Sequence, residues 1–169
     1  MVAGVLALGG CASMSAEECL KADWYQKGVQ DGRSGKTRHY LDEHVKACRE
    51  VGVTPNTQQY MEGREEGLLR YCTPASGFEE GRRGHSYAQV CPADLDPAFL
   101  SRYRDGRRVY DAQQRVYSAS SRVSEKERAV FMARDDKDKA RLRRELSELQ
   151  RDLQRAQDDL ASAKRRFEY

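Results

Sequence analysis

The sequence predicts a mainly α protein: a small, disulfide-stapled, Gly-rich helical domain followed by a long C-terminal helix or helical hairpin with coiled-coil character. Three observations carry this. Hydrophobic residues make up 38% of the 169 positions and charged residues 34%, a balance rich in surface and poor in core. Cys19, Cys48, Cys72 and Cys91 all stand in the first 91 residues. From Leu142 to Phe167 apolar residues recur at alternating spacings of four and three.

The elements follow in order. Ser15-Ala-Glu-Glu18 has the form of a capping box and predicts a helix from about Ala16 to Gly32, carrying Trp24 and Tyr25, with Gly35 ending the unit. A second helix, Tyr40 to Val51, is closed by Gly52 and followed by Pro55. Asn56 caps a third that runs to about Tyr71, and Cys72-Thr-Pro-Ala-Ser-Gly77 breaks it. Residues 78–90 suit another Gly-rich helix slightly better than two short strands turning at Gly81-Arg-Arg-Gly84.

Asp96-Pro97 is an N-cap followed by proline at the first helical position, and a long helical region begins there. Its first part carries Phe99, Tyr103, Tyr110 and Tyr117 with Val109, Val116 and Val123 beside them, one apolar stripe of period seven. Ser118 to Ser124 is a candidate break, since Ser124-Glu-Lys-Glu127 could cap a fresh helix. The series Leu142, Leu146, Leu149, Leu153, Ala156, Leu160, Ala163 and Phe167 is a heptad seam whose partner is either the preceding stripe or a second copy. As one helix, residues 97–167 would span about 105 Å, and as a hairpin about half that.

Ahead of the domain, Val2 to Leu8 is a short apolar run, and Leu8, Gly9, Gly10 and Cys11 fill the four positions that close a bacterial lipoprotein signal. The expected organisation is therefore a signal remnant over 1–10, a Cys/Gly-rich helical domain over 11–95 and a coiled-coil region over 96–169. Cys11 is the candidate lipidation site, which implies a palmitate-bearing anchor in the membrane and an oxidising compartment. The remaining four cysteines then read as two disulfides, with three pairings possible. Cys19 with Cys48 and Cys72 with Cys91 are favoured, because Cys19 lies in the first turn of one helix and Cys48 in the last turn of the next. A zinc site is disfavoured by the long spacings and the absence of Cys-x-x-Cys.

Aromatic-x-x-Gly occurs four times, at Tyr25 to Gly28, Tyr60 to Gly63, Phe78 to Gly81 and Tyr103 to Gly106, with further glycines at Gly32, Gly67 and Gly84. Glycine within a helix costs about 1 kcal/mol relative to alanine, so the pattern needs a cause. Close helix packing is one. A row of backbone amides and rings that binds glycan is the other, and Trp24 is the one tryptophan available for it. The ordered series Glu18-Cys19, Ala22-Asp23-Trp24, Gly28, Asp31-Gly32, Gly35, His44, Ala47-Cys48, Gly52-Val53, Pro55, Tyr60, Gly63-Arg64, Gly67-Leu68, Tyr71-Cys72, Gly77, Gly81, Gly84, Tyr87 and Val90-Cys91-Pro92 resembles the bacterial lipoproteins grouped as domain-of-unknown-function family 2799. The resemblance covers roughly residues 15 to 115 and implies a cell-envelope lipoprotein. It implies no activity.

No catalytic motif stands out: phosphate-binding glycine loops, Gly-x-Ser-x-Gly and His-Glu-x-x-His are all absent. His44 and Cys48 share a helix face at the spacing of a metal or nucleophile pair, a role that a disulfide at Cys48 removes. Arg82-Arg83 between two glycines is a candidate anion-binding turn for a phosphate or lipid headgroup. Residues 11–99 hold 11 Lys+Arg against 14 Asp+Glu, and residues 100–169 hold 19 against 13. The basic tail alternates its charges like a solvated helix and has no concentrated basic face, which argues against nucleic acid as a partner. No catalytic residue, metal or cofactor is expected. The expected function is a non-enzymatic, lipid-anchored structural or interaction protein on the periplasmic face of the outer membrane, engaging an envelope protein or itself through the coiled coil. The alternative is a ligand-binding module for glycan or anionic headgroups, or an enzymatic domain, built on the aromatic-x-x-Gly repeats around Trp24, Arg82 and Arg83.

Overall fold

A computed structural model describes residues 13–167, and Cys11 with the signal remnant lies outside the described residues. The described chain is helical throughout: α1 (Ala16–Leu20), α2 (Trp24–Arg33), α3 (Tyr40–Cys48) continued by a 3₁₀ turn (Arg49–Val51), α4 (Thr57–Tyr71), α5 (Pro74–Arg82), α6 (Asp96–Met132) and α7 (Asp136–Phe167). It divides into two compact units, residues 13–73 with 87–96, and residues 74–86 with 97–167. Segment 74–86 thus groups with the C-terminal helices.

In the first unit the capping box forms as its residues dictate, with Glu18 N donating to Ser15 Oγ at 3.2 Å and Ser15 N to Glu18 Oε2 at 2.6 Å. The helix does not continue to Gly32, however. It stops at Leu20 and a second one starts at Trp24, because the Asp23 carboxylate accepts from Gln26 N at 3.0 Å and so caps a new helix. α3 ends in the 3₁₀ turn closed by Gly52 at φ 71°, and Asn56 caps α4 through Gln59 N. Cys19 is bonded to Cys48 and Cys72 to Cys91. With sequence separations of 29 and 19, each closes a loop whose unfolded-state entropy loss is worth about 3 to 4 kcal/mol.

The glycines are where helices meet. A Cβ on Gly28 would lie 2.0 Å from the Tyr60 carbonyl oxygen and one on Gly32 2.2 Å from that of Arg64, while Gly63 and Gly67 meet the Tyr25 and Val29 carbonyls at 2.0 and 2.3 Å. Contacts advance together along both chains, so α2 and α4 run parallel. Each helix lays its Gly-x-x-x-Gly strip on the other's carbonyls, the spacing that allows backbones to approach most closely. At such distances Cα–H groups point at carbonyl oxygens, a weak but repeated attraction.

The same construction recurs in the second unit. Gly77 and Gly81 of α5 rest on the Phe99 and Tyr103 carbonyls of α6, and Gly106 returns the contact to the Phe78 carbonyl. Gly35 at φ 64° receives the Tyr71 ring, and Gly84 at φ 78° receives the Tyr110 ring. Both turns close with the same bonds, Gly35 N to Gly32 O and Lys36 N to Asp31 O in one, Gly84 N to Gly81 O and His85 N to Glu80 O in the other. In sequence, one disulfide brackets α2 and the other brackets α5. The chain is therefore an internal duplication of a parallel glycine-packed helix pair. The duplicates are offset by one turn relative to the aromatic-x-x-Gly motif, since Phe78 and Tyr103 occupy the places of Val29 and Arg64.

Residues 78–90 are not one helix. α5 begins earlier, at Pro74, whose fixed φ and missing N–H suit a first turn, and ends where Gly84 turns left-handed. The 87–96 segment is held by Tyr87, whose hydroxyl donates to Asp96 and accepts from Cys91 N.

α6 is continuous through the serines at 118–124, the candidate break. The apolar register Val109, Ala112, Val116, Ala119, Val123 passes through them unbroken and faces α7. The chain turns at Ala133–Asp135, where Asp135 accepts from Asp138 N at 3.0 Å. Lys126 pairs with Glu145 at 2.7 Å and Arg102 donates to the Phe167 carbonyl, so the two helices form an antiparallel hairpin. The valine column is the seam, and the tyrosine column is not: Tyr110 covers Gly84 and Tyr117 is 73% exposed. Every seam residue of α7 is half-buried, as expected when each helix is covered on one side only.

Replacing Gly63 by Ala should lower stability by about 2 to 3 kcal/mol, because the methyl group meets rigid backbone. Replacing Gly52, whose Cβ would have nothing within 4 Å, should cost about 1 kcal/mol from its left-handed backbone alone. Thermal melts of the two variants beside wild type check the ranking.

Candidate functional site

The first unit encloses a polar cluster built from three helices and the segment before α1. α3 turns Leu41, His44 and Cys48 inward, α2 presents Asp31 on the same side as Gly28 and Gly32, and α4 contributes Tyr60 from its first turn. His44 is wholly buried, Tyr60 likewise, and Asp31 is 5% exposed. His44 Nε2 lies 2.7 Å from Asp31 Oδ2, and Tyr60 donates to that same oxygen at 2.9 Å. His44 Nδ1 lies 2.8 Å from Ser13 Oγ. Tyr40 and Tyr60 meet the imidazole edge-on at 5.2 and 5.8 Å between ring centres. Nearby, the buried Arg64 donates through Nε and Nη2 to the Lys36 carbonyl at 2.9 and 2.7 Å, tying α4 to the turn after α2.

With Nε2–H donating to Asp31, a neutral His44 accepts the Ser13 hydroxyl at Nδ1; protonated, it donates to Ser13 instead. Both forms satisfy the ring. Burial, then the bond to Asp31, raises the Tyr60 phenol well above the usual tyrosine range. Tyr87, by burial and its bond to Asp96, is pushed up to about 12. Burial pulls the Arg64 guanidinium down.

Serine, histidine and aspartate in hydrogen-bonded series is an arrangement that nucleophilic catalysis uses. Here the imidazole has no exposure, and its carboxylate is shared with Tyr60. The cleft of about 400 Å³ beside α1 is lined by Met14, Glu17, Glu18, Lys21, Asp23 and Lys27 among others, and neither Ser13 nor His44 is in its walls. The series is built to hold the Ser13 segment in place.

The sequence-predicted residues are dispersed. Trp24 is 8% exposed in the core with Met14, Leu41 and Tyr60, so its face is not open for stacking. Arg82 pairs with Glu79 at 2.8 Å, and Arg83 lies 3.9 Å from the same carboxylate. The amides of Arg83, Gly84 and His85 donate to the carbonyls of Glu79, Gly81 and Glu80, which makes the turn a helix cap and leaves it no amide nest for an anion. The aromatic-x-x-Gly repeats turn their glycines to a neighbouring helix in both units, so those glycines are covered by helix packing. His44 keeps no thiol partner, since Cys48 is in a disulfide. Among the described residues no three His, Cys, Asp or Glu side chains converge as a metal site, and no helix is long and apolar enough to cross a membrane.

Sequence reasoning gave no site role to Asp31, Ser13 or Arg64. Asp31 had a usable signal, a carboxylate beside Gly32 on the face that the glycines mark as buried.

A family model described as "Protein of unknown function (DUF2799)" matches residues 23–108. No curated protein and no solved structure matches the chain.

Asp31→Ala leaves the Tyr60 hydroxyl and the His44 ring without their acceptor and should cost about 3 kcal/mol, with Asp31→Asn milder, in urea unfolding at neutral pH. The raised phenols act in the alkaline range. A folded-state value above the unfolded one favours the protonated form, so its stabilisation is whole below about pH 10 and is lost as pH rises beyond it. The urea midpoint should fall as pH rises from about 10 to about 12, and fall less in Tyr60→Phe.

Proposed function

The chain belongs to the DUF2799 family, and we propose that it is a non-enzymatic, lipid-anchored protein of the cell envelope, held through Cys11 at the periplasmic face of the outer membrane. Its role in this reading is structural: a stapled helical platform at the membrane that presents the α6–α7 hairpin to an envelope protein or to a second copy.

The single observation that supports the reading best is the pair of disulfides downstream of the lipobox. Cys19 and Cys48 are 2% and 0% exposed and Cys72 2%. Buried cystines in a small, core-poor unit belong to proteins that fold where thiols oxidise, and the Leu-Gly-Gly-Cys11 series supplies the route to such a compartment. The hairpin supports the interaction half. Along one side it sets Arg115 and Arg122 of α6 beside Asp152 and Asp159 of α7 around a cleft of about 460 Å³, a mixed-charge surface suited to partner selection and sensitive to salt.

Expression in a Gram-negative host from the native upstream sequence, beside Cys11→Ser, tests the anchor. Wild type should gain the mass of a lipid and fractionate with membranes, and the variant should do neither. Soluble, unmodified and reduced protein in both cases would refute the reading.

A further inference from the structure

We propose that the folded unit sits directly on the leaflet that holds its acyl chains, with α1 in the headgroup layer, because no linker separates the lipidated cysteine from the fold. The inference rests on lipidation at Cys11 and adds how the protein meets the membrane.

Three successive residues fix the start of the described chain. Ser13 Oγ is bonded to the buried His44 at 2.8 Å. Met14 is 5% exposed and belongs to the core cluster with Cys19, Trp24 and Leu41. Ser15 closes the capping box of α1 in both directions. Ala12 alone stands between Ser13 and Cys11, so the lipid-bearing residue lies within about 8 Å of Ser13 by chain length. α1, at five residues, extends only about 7.5 Å from there. The headgroup layer on each side of a bilayer is roughly 5 to 8 Å deep. The N-terminal end of α1 is therefore held close to that layer, and the helix exposes Glu17, Glu18 and Leu20, the last 66% accessible at its C-terminal end, followed by Lys21, which pairs with Glu17 at 2.7 Å. An exposed apolar side chain beside an ion pair, with the long lysine stem between them, suits the boundary between acyl chains and headgroups. The occupant of this face is the leaflet itself, since the tether is too short for a protein to intervene.

The lipidated protein carrying Leu20→Trp is reconstituted in phosphatidylethanolamine/phosphatidylglycerol vesicles with brominated or ordinary acyl chains, wild type supplying the Trp24 background. Emission from the introduced indole should fall on brominated vesicles only. Inserting twelve Gly/Ser residues between Ala12 and Ser13, a linker of roughly 19 Å root-mean-square span, should abolish that loss while lipid mass and membrane fractionation stay unchanged. Lipid mass without quenching would overturn this proposal and leave the anchor standing. Quenching that persists in the linker variant would also overturn it, because the tether would then not be what holds α1 down. Absence of lipid mass would remove both.

Discussion

The contact on which the rest depends is the meeting of glycine and carbonyl between parallel helices. With Gly28 and Gly32 on one side and Gly63 and Gly67 on the other, α2 and α4 approach until a single methyl group would collide with backbone. Parallel helices joined in sequence need the chain to travel back between them, and α3 makes that journey. The Cys19–Cys48 disulfide then fixes the end of α3 to α1, so that the return path and the helix pair brace each other. Helices this close leave no room for large side chains at their interface, and the unit accordingly places its bulk, Trp24, Leu41, Tyr60 and the cystine, at the margins of the pair.

Such an interface also determines where polar groups can go. Asp31 lies on the buried side of α2 between two glycine contacts, where a carboxylate has no access to water. It is tolerable because His44 and Tyr60 both reach the same oxygen. The duplicate pair, α5 with α6, solves the matching position differently. Phe99 stands where Tyr60 stands and brings no hydroxyl, while Tyr103 stands where Arg64 stands and gives its hydroxyl to the His85 carbonyl, the counterpart of the Lys36 carbonyl that Arg64 binds. The backbone acceptor after the left-handed glycine is kept and the donor is exchanged. That is what two copies of one construction look like when the scaffold is set by backbone contact and the side chains are free to differ.

Much of this was legible in the sequence, and the gaps have physical causes. Asn56, Gly52 and the Leu142–Phe167 heptads name their elements because caps and periodicity are local. The glycines announced tight packing, but the partner of each is a carbonyl, which has no letter in a sequence. For that reason the duplication was visible only as four copies of aromatic-x-x-Gly, a pattern one turn out of phase with the true repeat. Ser124 misled as a cap because local capping is worth about 1 kcal/mol and a continuous seam of Val116, Ala119 and Val123 outweighs it. Asp23 was missed as a cap because the helix opened by the Ser15 capping box was carried straight on to Gly32, where the capping bond at Asp23 makes two. Cluster members such as Ser13 and Asp31 are remote in sequence from His44, and no spacing rule joins them.

A chain with this much charge and this little apolar residue has few ways to hold a shape, and the fold uses three that need no large core. Disulfides restrict the unfolded chain, glycine strips let backbone pack on backbone, and a two-helix seam gives the C-terminal region order along one side only. Clefts at α1 and along the hairpin are open, and about half of their lining is Lys, Arg, Asp and Glu. Mixed-charge surfaces act by orientation and selectivity more than by depth of burial, and their effectiveness grows when they are held at a constant distance from what they face. On the proposed anchoring through Cys11, a short, pinned N-terminus would supply that constancy by limiting how far the first unit can stray from the lipid.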